Sequence, residues 1–253
     1  MPLQNVLMLS MHSLVKRIRK LIVICLILIC IGWAVAEASQ ALLRHRGEKL
    51  LAEIRTLNAG RSTWSDAQPI LKEWADWSTT KPQCTAQACT VQIDLLQTLP
   101  ALITGTPGHA AGNWIARLID HAGLRSAAVR AGIVVEHGVV TARWFGEQVT
   151  PPVRDWSALD TYVPYLSVSS AETSHFREMT AGQKLLHPKR LVQNKEFYIA
   201  VTFSPDEDPA EQSALMDFRF DCITRFRPCE SQADILPEAL RLLQERQLSG
   251  PTR

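Results

Sequence analysis

Four of the six cysteines, Cys84, Cys89, Cys222 and Cys229, fall in two close pairs well beyond the N-terminus, spaced C-x4-C and C-x6-C. Two kinds of chemistry suit them. In an oxidising compartment they close as disulfides. Four cysteines allow three connectivities, and the two local ones each close a short loop beside an expected strand end. Each would stabilise the fold by about 2 kcal/mol on the chain-entropy model. As thiolates the same four could hold zinc, but the spacing is a loose match to structural zinc motifs and oxidation would compete. Disulfides are the favoured reading.

The other reactive side chains form no signature. His109, His121, His137, His175 and His187 are scattered, and only Asp120-His121 and Glu136-His137 place a carboxylate beside an imidazole. Adjacent helical residues do not share a face, so neither pair reads as a metal site. Ser167-Val-Ser-Ser170 lies in no nucleophile elbow. The loop Gly105-Thr-Pro-Gly108-His-Ala-Ala-Gly112 lacks the Lys-Ser/Thr of a phosphate-binding loop. No cofactor is expected. The one polar cluster in the sequence is His175 and His187 around Arg177, Glu178, Lys184 and Lys189, and solvated loop residues are its favoured explanation.

The elements that would position these groups follow from periodicity. Leu43, Leu50, Ile54 and Leu57 make a helical stripe that Asn58-Ala-Gly60 ends, and the stripe is expected to pack against its own domain. A second helix, starting near Ser65 or Asp66 so that Pro69 falls in its first turn, carries Trp74 and Trp77 as core residues. Thr90 to Leu95 alternates as a strand. Residues 103–112 read as a loop and Trp114 to Leu124 as an amphipathic helix. Val129 to Glu136 and Val139 to Phe145 form a hairpin turning at His137-Gly138. Tyr162 to Val168, Phe197 to Phe203 and Leu215 to Asp221 read as further strands, with a loop from Pro205 to Pro209 and a last helix from Pro237 to about Arg246. The fold class is α+β: an N-terminal transmembrane helix and a stalk helix, then a mostly antiparallel sheet with helices packed on one face.

What precedes that domain is the most informative stretch. Leu21 to Ala36 contains no charge, and extension to about Ala38 brings it near the 17 to 25 residues of a membrane span. Lys16, Arg17, Arg19 and Lys20 abut its N-terminal end, and no acidic residue occurs before Glu37. That asymmetry keeps residues 1–20 in the cytoplasm as a basic tail. The expected order is then a transmembrane helix over 21–38, a stalk helix over 39–60, and an extracytoplasmic domain over 61–253. A signal peptide cleaved after Ala36, at Ala34-Val-Ala36, is the competing reading and exports the same domain. Cys25 and Cys30 are small apolar residues of the span.

Charge restricts the partners. The chain has 27 Lys and Arg against 25 Asp and Glu. With four cations before the span, the remainder carries a small acidic excess, which argues against nucleic acid. The expected partners are the membrane, through a single span, and another envelope protein. The segments IRTLNAGRSTWSDAQPILKEWADW, CTAQACTVQIDL and FDCITRFRPC resemble a group of uncharacterised bacterial proteins with one N-terminal membrane helix and an exported domain. The resemblance implies that topology and brings no activity. The expectation for function is a membrane-anchored, non-enzymatic envelope protein with an extracytoplasmic binding or interaction domain; an exported hydrolase and a metal-binding module are the alternatives.

Overall fold

The computed structural model describes residues 3–79, 84–96, 126–149, 166–179, 189–194, 198–225, 227, 229–238, 240, 241 and 244. It divides into two compact units, Met1–Ser39 and Gln40–Arg253.

The first helix, α1, covers Leu3–Thr56. In the N-terminal unit, every large apolar residue from Leu21 to Val35 is between 47% and 66% exposed. Beyond Gln40 the helix contributes Leu43, Leu50, Ile54 and Leu57 to the buried core of the second unit, so the stripe packs on its own domain. Gly60, at φ 77°, turns the chain after it; glycine is the residue that adopts this left-handed backbone without steric cost.

The second helix, α2, covers Trp64–Glu73 and starts earlier than its proline suggests. Thr63 is its N-cap residue. Its backbone N–H donates to Asp66 Oδ2 at 2.7 Å, and its hydroxyl donates to the same oxygen at 2.8 Å. This local closure sets the start, and Pro69 is accommodated inside the helix. Trp74 is buried and donates from Nε1 to Glu53 Oε2 at 2.6 Å, while Trp77, in a short 3-10 turn over Ala75–Trp77, is half-buried under the Arg46 guanidinium.

Six strands form one sheet in the order β1-β2-β3-β4-β6-β5: β1 Ala88–Leu96, β2 Ala127–Glu136, β3 Val139–Val149, β4 Leu166–Thr173, β5 Lys189–Asn194 and β6 Tyr198–Phe203. All neighbouring pairs are antiparallel except β4 with β6. The hairpin turns at His137 (φ 52°) and Gly138 (φ 82°), the positive pair that a two-residue turn needs to match strand twist. Alternation sends Cys89, Val91, Ile93 and Leu95 of β1 and Val129, Ala131, Ile133 and Val135 of β2 to one face. There they pack with residues of α1 and α2 and with Phe218 and Phe220 in a continuous core. The class is α+β.

Several expectations change. Leu215 to Asp221 is not a strand. Pro209–Leu215 is a helix capped by Asp208, Asp221–Thr224 is a single turn, and the residues between link them. Met216, Phe218 and Phe220 alternate because successive turns aim them into the core, where Phe145 meets both phenylalanines edge to face at 5.0 and 5.8 Å. Of the strand expected over Tyr162 to Val168, the part from Leu166 belongs to β4, which continues to Thr173, while residues 162–165 lie outside the described residues; β5 is a strand with no counterpart among the expected elements. The Trp114 to Leu124 helix and the 103–112 loop lie outside the described residues. Of the last helix, Pro237, Glu238, Leu240, Arg241 and Gln244 are helical.

Candidate functional site

The two faces of the central strands do different work. Toward the core, β3 presents Arg143, Phe145 and Glu147, and β4 presents Val168, Ser170 and Glu172. Four of these six are polar and all are almost fully buried. Arg143 donates from Nε to Glu172 Oε2 across the strand pair and from Nη1 to the Ile54 carbonyl of α1 at 2.7 Å. The guanidinium thus adds a second donor to a carbonyl near the helix C-terminus that also accepts from the Leu57 N–H at 3.2 Å. Glu147 has neither. Both of its carboxylate oxygens lack a hydrogen-bond partner among the described residues, and burial, reinforced by the charge of Asp221, raises its pKa well above the ordinary carboxylate value. Burial thus favours its neutral form over the charged one.

The opposite face carries a trough. Cross-strand register aligns three rows: Leu96, Ala128, Gln148, Ser167 and Tyr198; Asp94, Arg130, Gly146, Ser169 and Ala200; and Gln92, Gly132, Trp144, Ala171 and Thr202. Small residues on β3 and β4, Gly146, Ser167 and Ser169, form its floor. Longer side chains from β1, β2, β3 and β6 form its walls. The enclosed volume is about 280 Å³, lined by Gln92, Arg130, Trp144, Gln148 and Tyr198.

Each wall is fixed locally. The Trp144 indole fills the space over its cross-strand partner Gly132: a Cβ there would collide with Nε1 and Cε2, so only glycine admits the ring in this position. Gln92 Nε2 donates to both oxygens of Asp94, at 3.0 and 3.1 Å, and Arg130 Nε stands 3.4 Å from Asp94 Oδ1. Among the described residues at the trough, Arg130 and Asp94 thus offset each other's charge, and Glu147, which also borders the cavity, is fully buried. Gln148 donates to Ser167 Oγ at 3.2 Å, and Tyr198 is 39% exposed.

The residues singled out by sequence are placed as follows. Cys84 is bonded to Cys89, with Cα atoms 4.5 Å apart, and Cys222 to Cys229, with Cα atoms 5.5 Å apart. The four sulfurs are paired locally and do not converge as a thiolate set. Cys25 and Cys30 are free thiols on the exposed apolar stretch. Ser167 faces the trough and Ser170 the core, and among the described residues neither has a hydrogen bond to a histidine.

His175 follows β4 in a turn. Its Nε2 lies 3.0 Å from Glu136 Oε2 and its Nδ1 3.0 Å from Glu178 Oε2. Two carboxylates on opposite ring nitrogens require both to carry protons, and these bonds raise the imidazole pKa above 6.5. Glu136 thus pairs with His175 and not with its neighbour His137. Arg177 lies 3.7 Å from Asp206, and Lys189 opens β5. His109, Asp120, His121, Lys184 and His187 lie outside the described residues.

The trough was missed by sequence reasoning because its walls come from four strands. Its one local signal is Trp144-Phe-Gly146, a glycine beside an aromatic within a strand. The chain matches no protein-family model, no curated protein and no solved structure.

Proposed function

We propose that this chain is a membrane-anchored, non-enzymatic envelope protein. In this reading the apolar helix from Leu21 to about Ala38 spans the cytoplasmic membrane, and the α+β domain outside it binds another envelope component or a ligand. The observation that carries the reading is the exposure of the apolar stretch, where eleven large side chains between Leu21 and Val35 are at least 47% exposed. Burying one such side chain is worth about 1.5 to 3 kcal/mol, so the stretch calls for a hydrocarbon environment. Lys16, Arg17, Arg19 and Lys20 at its N-terminal end favour a cytoplasmic tail. The two disulfides fit an oxidising compartment on the other side.

The experiment is crosslinking in intact cells followed by identification of what is captured. A reproducible envelope partner supports the reading. Capture of cytoplasmic proteins alone, or turnover of a small ester or glycan by the purified protein without any partner, contradicts it.

A further inference from the structure

We infer that the trough on the outer sheet face is a binding site for a neutral saccharide. The inference rests on the reading of the domain as a binding module and names its ligand. The juxtaposition that carries it is an indole, a tyrosine and two side-chain amides around a floor of glycine and serine.

Saccharides present an apolar face of C–H groups and a rim of hydroxyls that donate and accept. A matching site needs an aromatic surface and planar polar groups beside it, with room for the ring between. Trp144, seated closely on Gly132, supplies an aromatic side chain on one side of the floor. Tyr198 supplies a second at the far side, beside Ser167 in the register. Gln92 and Gln148 bring amides that both donate and accept, and Ser167 and Ser169 bring hydroxyls.

Gly146 explains the depth. Unlike Gly132, whose missing side chain is filled by the indole, Gly146 faces the trough midway between the walls. A glycine inside a strand marks a close approach to the backbone, here by the Val168 carbonyl of β4, which a Cβ at Gly146 would meet at 3.2 Å. Charge narrows the ligand class. Among the described residues, Arg130 and Asp94 oppose each other at 3.4 Å and Glu147 is fully buried, so the solvent-facing charges of the trough are matched and favour neither a phosphate or carboxylate nor a cation. Its volume, about 280 Å³, is near the lower end of ligand pockets and suits a short sugar segment better than a folded partner.

The full-length protein in detergent micelles is titrated calorimetrically with chitotetraose and with maltotetraose, and with an oligogalacturonate as the anionic counterpart. At least one neutral oligomer is expected to bind and the anionic one not. Tyr198→Ala and Gln148→Ala should each weaken that binding about fivefold or more while leaving the melting temperature unchanged. Trp144→Phe, which keeps a ring over Gly132, should weaken it less than Tyr198→Ala combined with Gln148→Ala. The inference is overturned if the folded protein binds neither neutral oligomer, if the anionic oligomer binds as well as the neutral ones, or if affinity survives both substitutions. A protein partner captured in cells alongside absent saccharide binding would overturn this inference alone; saccharide binding by a chain found free in the cytoplasm would overturn the anchored reading alone.

Discussion

Arg143 and Glu172 face each other across β3 and β4 as an ion pair with side chains only 5% and 1% exposed, and the same guanidinium reaches the Ile54 carbonyl of α1. The pair ties the helix that leads from the N-terminal unit to the middle of the sheet. Burial lowers the Arg143 pKa, while the charge and hydrogen bond of Glu172 act to raise it. Removing one partner leaves an uncompensated charge in the core. Arg143→Ala should cost about 3 to 5 kcal/mol in chemical denaturation. The double variant Arg143→Leu with Glu172→Leu should lose only about 0.5 to 1.5 kcal/mol, for the one hydrogen bond removed from the Ile54 carbonyl, which keeps its bond from the Leu57 N–H. Equal losses in the two would refute the pair's role.

Glu147 makes a second, opposite prediction. Its folded-state pKa is raised above the ordinary value of 4.5, so the stability it contributes is present below that value and is lost as pH rises through the folded pKa. Glu147→Met should therefore stabilise the protein at pH 8 and do so less at pH 4, by an amount at pH 8 of about 1 to 3 kcal/mol. Unfolding curves at the two pH values read the difference. A substitution that is equally costly at both would mean that Glu147 has a partner.

The fit of Trp144 on Gly132 can be tested directly. Gly132→Ala puts a methyl group where the indole nitrogen lies, and the ring must leave the sheet. Overpacking of this kind costs about 1 to 3 kcal/mol. Gly132→Ala with Trp144→Leu should recover most of it, because the smaller side chain vacates the contact. Failure of the second change to rescue the first would place the strain elsewhere.

His175 provides a surface counterpart. With Glu136 on one ring nitrogen and Glu178 on the other, its pKa is raised above 6.5. The stabilisation it supplies is complete below 6.5 and is lost as pH rises through the higher folded value. An NMR titration of the imidazole should give a midpoint above 6.5 that falls toward it in Glu136→Gln. An unchanged midpoint in that variant would break the link to Glu136.

Local patterns carried a large part of this fold. The hairpin at His137-Gly138 was legible because two β-rich runs flank a two-residue turn, and the stripe from Leu43 to Leu57 because helical spacing repeats over four turns. What depended on distant neighbours was not. In β4 the inward positions include Ser170 and Glu172, so the alternation that marks a half-buried strand is missing, and only pairing with Arg143 makes Glu172 an inward residue. Lys189–Asn194 has two apolar residues in six, and it becomes a strand by pairing with β6. Met216, Phe218 and Phe220 gave a false strand signal, since alternation arises equally from consecutive turns over a core. The trough joins Arg130, Trp144, Gln148 and Tyr198 through register, and no spacing along the chain encodes register between strands that are far apart in sequence.

The central claim is that the helix from Leu21 to about Ala38 anchors the domain on the far side of the membrane from the basic tail. Protease treatment of intact spheroplasts making the chain with a C-terminal tag tests it most directly. The account predicts that the tag is lost while the membrane is still sealed. A tag that survives until the membrane is breached would place the domain in the cytoplasm and contradict the account.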